Sequence, residues 1–226
     1  MVNIDRSIHI RLRRAALGRA FARLWLRGPR LASFNAIDVA STCVYDLRKG
    51  VPANDSTVDA VYHSHVLEHI DRDAVPHFLG EIRRALKPGG VHRIVVPDLE
   101  QAARAYVASL TSARCRETDP RWHDATVAAM IEQLVRREAH GTAHQAPARR
   151  WIENRLLGDA RKRGETHQWM WDEVNLTQAL VEAGFHAVQP VDYTESGIPG
   201  WRSIRLDEAA DGNPYKPGSL YLEALA

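Results

Sequence analysis

Residues 58–97 constrain this chain more than any other stretch. An apolar run of strand length, VDAVYHSH at 58–65, leads into a helical pattern, and a second apolar run, VHRIVVP at 91–97, follows it. Within the helical pattern Leu79, Ile82 and Leu86 form one buried stripe. Pro76 suits a helix N-terminus, and Lys87-Pro88-Gly89-Gly90 stops the helix. Strand, helix and strand in that order make a parallel pair joined by a crossover. Phe34–Val39, ending around Asp38, and Thr42–Tyr45, ending at Asp46, read as two short strands. Residues 175–185 read as a helix stopped at Gly184, and 186–193 and 219–226 as strands, the last one antiparallel. The expected fold is α/β, a doubly wound and mostly parallel sheet. It carries a helical insertion at about 113–165, where the helical patterns 99–111 and about 123–139 surround a charged stretch.

Charge adds a second constraint. The 226 residues hold 30 Lys plus Arg and 28 Asp plus Glu, a net charge of +2. That balance hides a skew: residues 1–30 contain eight arginines and one acid, Asp5. Residues 6–27 read as an arginine-rich amphipathic helix, broken at Gly28-Pro29-Arg30. The expected organisation is a basic helical arm at 1–30 and one domain at 31–226. Outside the arm the chain is acidic and shows no aromatic–basic interleaving, which argues against nucleic acid as a partner. The arm is expected to make a homodimer contact or to dock on its own chain, with a membrane surface as the lesser alternative. Two cysteines, Cys43 and Cys115, cannot build a disulfide framework or a four-thiolate zinc site, and they fit a reducing cytoplasm. No apolar run reaches the roughly 18–20 residues of a membrane span.

In open parallel sheets ligands lie beyond the carboxyl ends of the strands. Asp38, Asp46 and the Ser64-His65 pair each stand where an expected strand ends, so they would line one rim. A turn-capping role for Asp38 and Asp46 is the plainer alternative. The segments YDLRKGVPANDSTVDAVYHSHVLEHI and FLGEIRRALKPGGVHRIVVPDLE resemble the class I S-adenosylmethionine-dependent methyltransferases, in particular the bacterial type 11 group. HQWMWDEVNLTQALVEAGF and the closing KPGSLYLEA are similar to the tail of that family. The resemblance implies a Rossmann-like methyltransferase fold, S-adenosylmethionine as cofactor and a small-molecule or saccharide-type acceptor. It also implies roles. Asp38 would take the ribose hydroxyls. Asp46 would take the adenine amino group, with Leu47 on the ring. Ser64 and His65 would stand by the methionine portion, with His65 as donor or general base. Where family members carry a Gly-rich turn, this chain reads Trp25-Leu26-Arg27-Gly28-Pro29-Arg30, and Gly28 is the plausible counterpart. That departure keeps a second reading open: a protein of this fold without methyl transfer, serving as a binding or partner subunit.

Two further clusters carry chemistry. His63, His65, Glu68 and His69 crowd one strand-to-helix junction. Imidazoles and a carboxylate are good metal ligands, but the resemblance accounts for this cluster without a metal, and none is expected. Glu68 and His69 are expected to face the interior or tie down the turn. His167, Trp169, Met170, Trp171 and Asp172 form the other cluster. His167 is an acid–base candidate, the tryptophans are core or the wall of an acceptor pocket, and Asp172 is the N-cap of the next helix.

Overall fold

The computed structural model describes residues 2–5, 8–25, 27–115, 120–134 and 166–226. The chain forms two compact units, Met1–Pro52 and Ala53–Ala226. Most of the expected insertion, 116–119 and 135–165, lies outside the described residues, as does Leu26.

In the first unit β1 (Asn3–Ile4) pairs in parallel with β2 (Thr42–Cys43). Three helices lie between them: α1 (Ile8–Arg14), α2 (Ala16–Trp25) and α3 (Pro29–Ala36). The expected single helix over 6–27 is thus two helices, divided at Ala15. Phe34–Val39 is not a strand. Gly28 takes φ 58° as the N-cap and Pro29 opens α3 at its first position, where the ring's fixed φ already matches a helix. That start draws Phe34 and Asn35 into the helix. The basic arm is tied back on its own unit: Arg13 donates to the Asn35 carbonyl at 3.2 Å, and Arg14 donates to the carbonyls of Val39 and Thr42. Ile10 and Phe34 are buried here.

The second unit is built on a four-stranded sheet in the order β3 (Val58–Ser64), β4 (Leu86–Pro97), β6 (Ser219–Leu225), β5 (His186–Pro190). β3 and β4 are parallel, and β6 is antiparallel to both β4 and β5. Three strands therefore run one way and β6 runs against them. This is the expected α/β class with a mostly parallel sheet.

The crossover between β3 and β4 ends in α4 (Val75–Ala85), which buries Phe78, Leu79, Ile82 and Ala85. Its stop is abrupt, because Leu86 already belongs to β4. Gly90 is needed there: a Cβ would lie 2.9 Å from the Lys87 carbonyl oxygen and 3.1 Å from that of Asp59. After β4 come α5 (Leu99–Arg114) and α6 (Pro120–Leu134), and α7 (Glu173–Glu182) leads into β5. Asp172 caps α7 in a reciprocal box with Asn175, as its residue type suggested. The short α8 (Trp201–Ile204) precedes β6. α7 packs on α4, β5 and β6, burying Leu176 and Leu180. Among the described residues no helix is long and apolar enough to cross a membrane.

Candidate functional site

The carboxyl end of β3 is where the chemistry gathers in the second unit. Ser64 is the last residue of the strand, and His65 turns away from it with a left-handed backbone, φ 54°. A non-glycine residue seldom takes that conformation, and it costs on the order of 1 kcal/mol. The amide of His65 still donates to the Val95 carbonyl at 2.9 Å, so the turn is fixed against β4. Two short 3-10 turns, Leu67–His69 and Arg72–Ala74, then carry the chain to α4.

This turn points His65 between two partners. Its Nε2 lies 2.9 Å from the Ser219 hydroxyl at the start of β6. Its Nδ1 lies 3.3 Å from Oε1 of Glu68. A carboxylate favours a proton on the facing nitrogen, so Nδ1 carries the hydrogen and Nε2 accepts from Ser219. Glu68 has 0% exposure, which matches the interior placement expected for it. Burial pushes its carboxyl up, but His65 and His69 outweigh that and hold it below the usual range. Even so, neither carboxylate oxygen has a partner in hydrogen-bond geometry among the described residues.

The 166–172 segment closes over this turn. Gln168 and Trp169 donate their amides to the Glu68 carbonyl, at 2.6 and 3.4 Å. Leu99 donates to the Trp171 carbonyl at 2.9 Å, anchoring the same segment to the start of α5. His167 is thereby brought to His69, ring centroids 4.9 Å apart and edge to face. His69 Nδ1 lies 3.1 Å from the Thr166 carbonyl oxygen. Met170 and Trp171 are core, while Trp169 is half-buried under the Arg72 guanidinium, 4.1 Å from its ring. Beside them Asp71, Arg72, Asp73, Ala74 and Gln168 line a cleft of about 570 Å³.

The structure therefore joins His65 and His167 to one region through Glu68 and His69. Ser219 and the bridging position of Glu68 were not foreseen. Nothing local in sequence announces a serine 154 residues from its histidine. The remaining candidates belong to the first unit. Gly28 adopts a positive φ, and a Cβ there would meet open space. Asp38 follows a helix rather than a strand, and its carboxylate accepts from the amides of Ala40 (2.9 Å) and Ser41 (3.3 Å) and from the Ser41 hydroxyl. These bonds hold its carboxyl below the ordinary value. Asp46 and Leu47 lie where β2 gives way to a 3-10 turn, Leu47–Lys49.

Residues 19–94 match the type 11 family model described as a methyltransferase domain. No curated protein sequence matches the chain. Solved structures similar to it include a chain of the complex between the Haloferax volcanii Trm112 methyltransferase activator and a methyltransferase. That pair is 18% identical with TM-score 0.41, covering 87% of this chain and 66% of the other, just under two thirds of its length. A second is an S-adenosylmethionine-dependent methyltransferase from Archaeoglobus fulgidus, at 14% identity and TM-score 0.39, with 88% and 73% coverage. A third is such an enzyme from Mesorhizobium loti, at 14% identity and TM-score 0.40, with 100% and 79% coverage. The matched segment runs from the arm through the Ser64-His65 turn to the middle of β4, and over residues 19–94 this chain is similar to the type 11 methyltransferase domain.

Proposed function

We propose that the protein is an S-adenosylmethionine-dependent methyltransferase acting on a small-molecule or saccharide-type acceptor. The observation that carries this reading is the methyltransferase-domain match over a segment that ends in the His65 turn. When bound, the cofactor supplies a methyl group on a sulfonium. The residues proposed for it are, in the first unit, Gly28, Asp38, Asp46 and Leu47, and, taken separately in the second, Ser64 and His65. Two local features suit that task. The Cβ-free side of Gly28 is open to a close approach. Asp38 spends three of the roughly four acceptor positions of a carboxylate on its own turn, which leaves one for a ribose hydroxyl.

The chain's own contribution to the transfer would be position and proton removal. Holding the acceptor in line with the transferred carbon supplies most of the acceleration. His65 is set to take the acceptor's proton. Its Nδ1 hydrogen is directed at Glu68, and its Nε2 lone pair already receives a hydroxyl, that of Ser219. An acceptor hydroxyl in that position would pass its proton to Nε2. The open cleft beside Gln168 has the volume of a small-molecule site. His167, next to Gln168, is a second proton-accepting candidate.

The test is calorimetry with S-adenosylmethionine on wild-type protein and on Asp38→Ala and Asp46→Ala, with circular dichroism as the control for folding. Both variants should lose binding while keeping their fold; unchanged affinity in both removes the assignment. A second reading, a binding or partner subunit of this fold without methyl transfer, is favoured by one observation. The Asp38 carboxylate is already engaged by Ala40 and Ser41. That reading expects no heat from wild-type protein even at millimolar cofactor.

A further inference from the structure

We infer that Glu68, His69 and His167 form a binding site for one divalent first-row transition ion of the zinc type. Their ligating atoms lie within 4.8 Å of one another, and the set combines one fully buried carboxylate with two half-buried imidazoles. The sequence resemblance led to no expectation of a metal here.

The first support is the carboxylate. Glu68 is removed from water; the His65 Nδ1 hydrogen faces Oε1 at 3.3 Å, but no bond of good hydrogen-bond geometry reaches either oxygen among the described residues. A buried carboxylate met so weakly by donors is costly in general, so a cation beside it answers a deficit.

The second support is the tautomer of His69. A backbone carbonyl can only accept, so the contact between Nδ1 and the Thr166 oxygen at 3.1 Å puts the ring hydrogen on Nδ1. Nε2 of the neutral ring then presents a lone pair to Glu68 Oε1, 3.9 Å away. Two lone pairs facing each other at that distance are repulsive unless a positive charge stands between them, either a second proton on His69 or a metal ion. An imidazole whose far nitrogen is tied to a carbonyl is also the usual supporting arrangement of a metal-bound histidine.

The third support is the scaffold. The amides of Gln168 and Trp169 both bond to the Glu68 carbonyl, so the segment carrying His167 is fixed to the residue that supplies the carboxylate. A tetrahedral ion with bonds of roughly 2.0–2.1 Å needs ligand atoms about 3.4 Å apart. The present set spans up to 4.8 Å, so its atoms must draw together when an ion binds. Two nitrogens and one carboxylate oxygen suit zinc and its first-row neighbours better than calcium or magnesium, which take oxygen ligands. Three protein ligands leave a position open, as in catalytic rather than structural zinc sites. With His167 engaged as a ligand, His65 remains outside the set and keeps the other side of Oε1.

The site does not depend on methyl transfer, and its test contains no S-adenosylmethionine. Full-length protein stripped with a chelator is titrated with Co²⁺ and read by visible absorption, then challenged with Zn²⁺. The expected result is one equivalent of Co²⁺ with the intense bands of a low-coordinate site, displaced by Zn²⁺. His167→Ala and Glu68→Gln should each weaken binding by more than about 100-fold, beyond what outer-shell changes cost. His77→Ala, an exposed histidine on α4, should leave it unchanged. Absence of a signal at millimolar Co²⁺ overturns the site. So does undiminished binding in His167→Ala, which would put the ion elsewhere. Should Glu68→Gln fail to fold, His167→Ala alone decides.

Discussion

His92 and Arg93 are neighbours on β4 whose side chains leave opposite faces of the sheet, and they solve one problem in opposite ways. Both have 0% exposure. Arg93 keeps its charge and is surrounded by acceptors. It pairs with Asp207 at 2.9 Å and Glu223 at 3.0 Å, and it donates to the carbonyls of Asp192, Tyr193 and Glu195. The Trp201 ring covers its guanidinium at 4.3 Å. On the other face His92 gives its charge up. Its Nε2 meets His63 Nε2 at 3.1 Å, among Phe78 and Phe185, and the Nδ1 atoms of both rings lack partners among the described residues. Burial lowers the pKa of both rings, and that of His63 falls to about 4. Glu68, the third buried ionisable group of this region, fits neither solution. It keeps its charge beside two imidazoles, at 3.3 and 3.9 Å, with no bond of good hydrogen-bond geometry among the described residues. A fully answered charge reads as architecture; a charge left partly unanswered reads as a place for something else.

This contrast can be broken by experiment. The largest effect is expected from Arg93→Met, which strands two buried carboxylates and should cost about 3–5 kcal/mol in chemical denaturation. A cost below about 1 kcal/mol would mean the network is replaceable. Next comes acid. His63 and His92 bind protons more readily unfolded than folded, so stability is complete above the ordinary histidine pKa of 6.5 and falls as pH drops towards about 4. For His63 alone this amounts to about 3 kcal/mol. Glu68 pulls slightly the other way by favouring the charged ring. Replacing His63 and His92 together by Phe and Leu should flatten the stability profile between pH 6.5 and 4, measured by thermal melts. An unchanged slope would show that the pair is charged in the fold. The smallest effect belongs to Glu68→Gln in the presence of chelator. A side-chain amide can serve neutral imidazoles, so the cost should stay within about 1 kcal/mol. A loss as large as that of Arg93→Met would make Glu68 architecture too.

How much of this was readable beforehand depends on distance along the chain. β3, α4, β4 and α7 carry their own signals: β-branched runs, a 3–4 spacing of apolar residues, and a cap at Asp172 with Asn175 three positions on. They appear near their expected places, except that α4 begins only at Val75 and β4 already at Leu86, a residue that the apolar spacing places in the helix. Phe34–Val39 misled because an apolar, aromatic stretch reads as strand, whereas Gly28-Pro29 just before it is a helix start. The strand premise for Asp38 fell with it. The site is harder still. His65, Glu68 and His69 are adjacent in sequence, but the left-handed turn at His65 decides which way each points. Ser219 and His167 reach them only through the order of the sheet and the return of the 166–172 segment.

That order of strands has a consequence for how the protein is made. β6 is the latest strand in chain order, yet it lies between β4 and β5. During synthesis β4 emerges with one edge open and must wait for a segment more than a hundred residues behind it. Arg93 waits as well, for Asp207 and Glu223 that follow it by 114 and 130 residues. A sheet of this kind is completed by a late insertion rather than grown outward from its first pair, and long-range closure of that sort is slow. Until residues 219–225 arrive, the nascent chain offers two unpaired strand edges and a buried-type cation in water. The period of greatest exposure to misassembly therefore lasts until residues 219–225 have emerged and taken the central place.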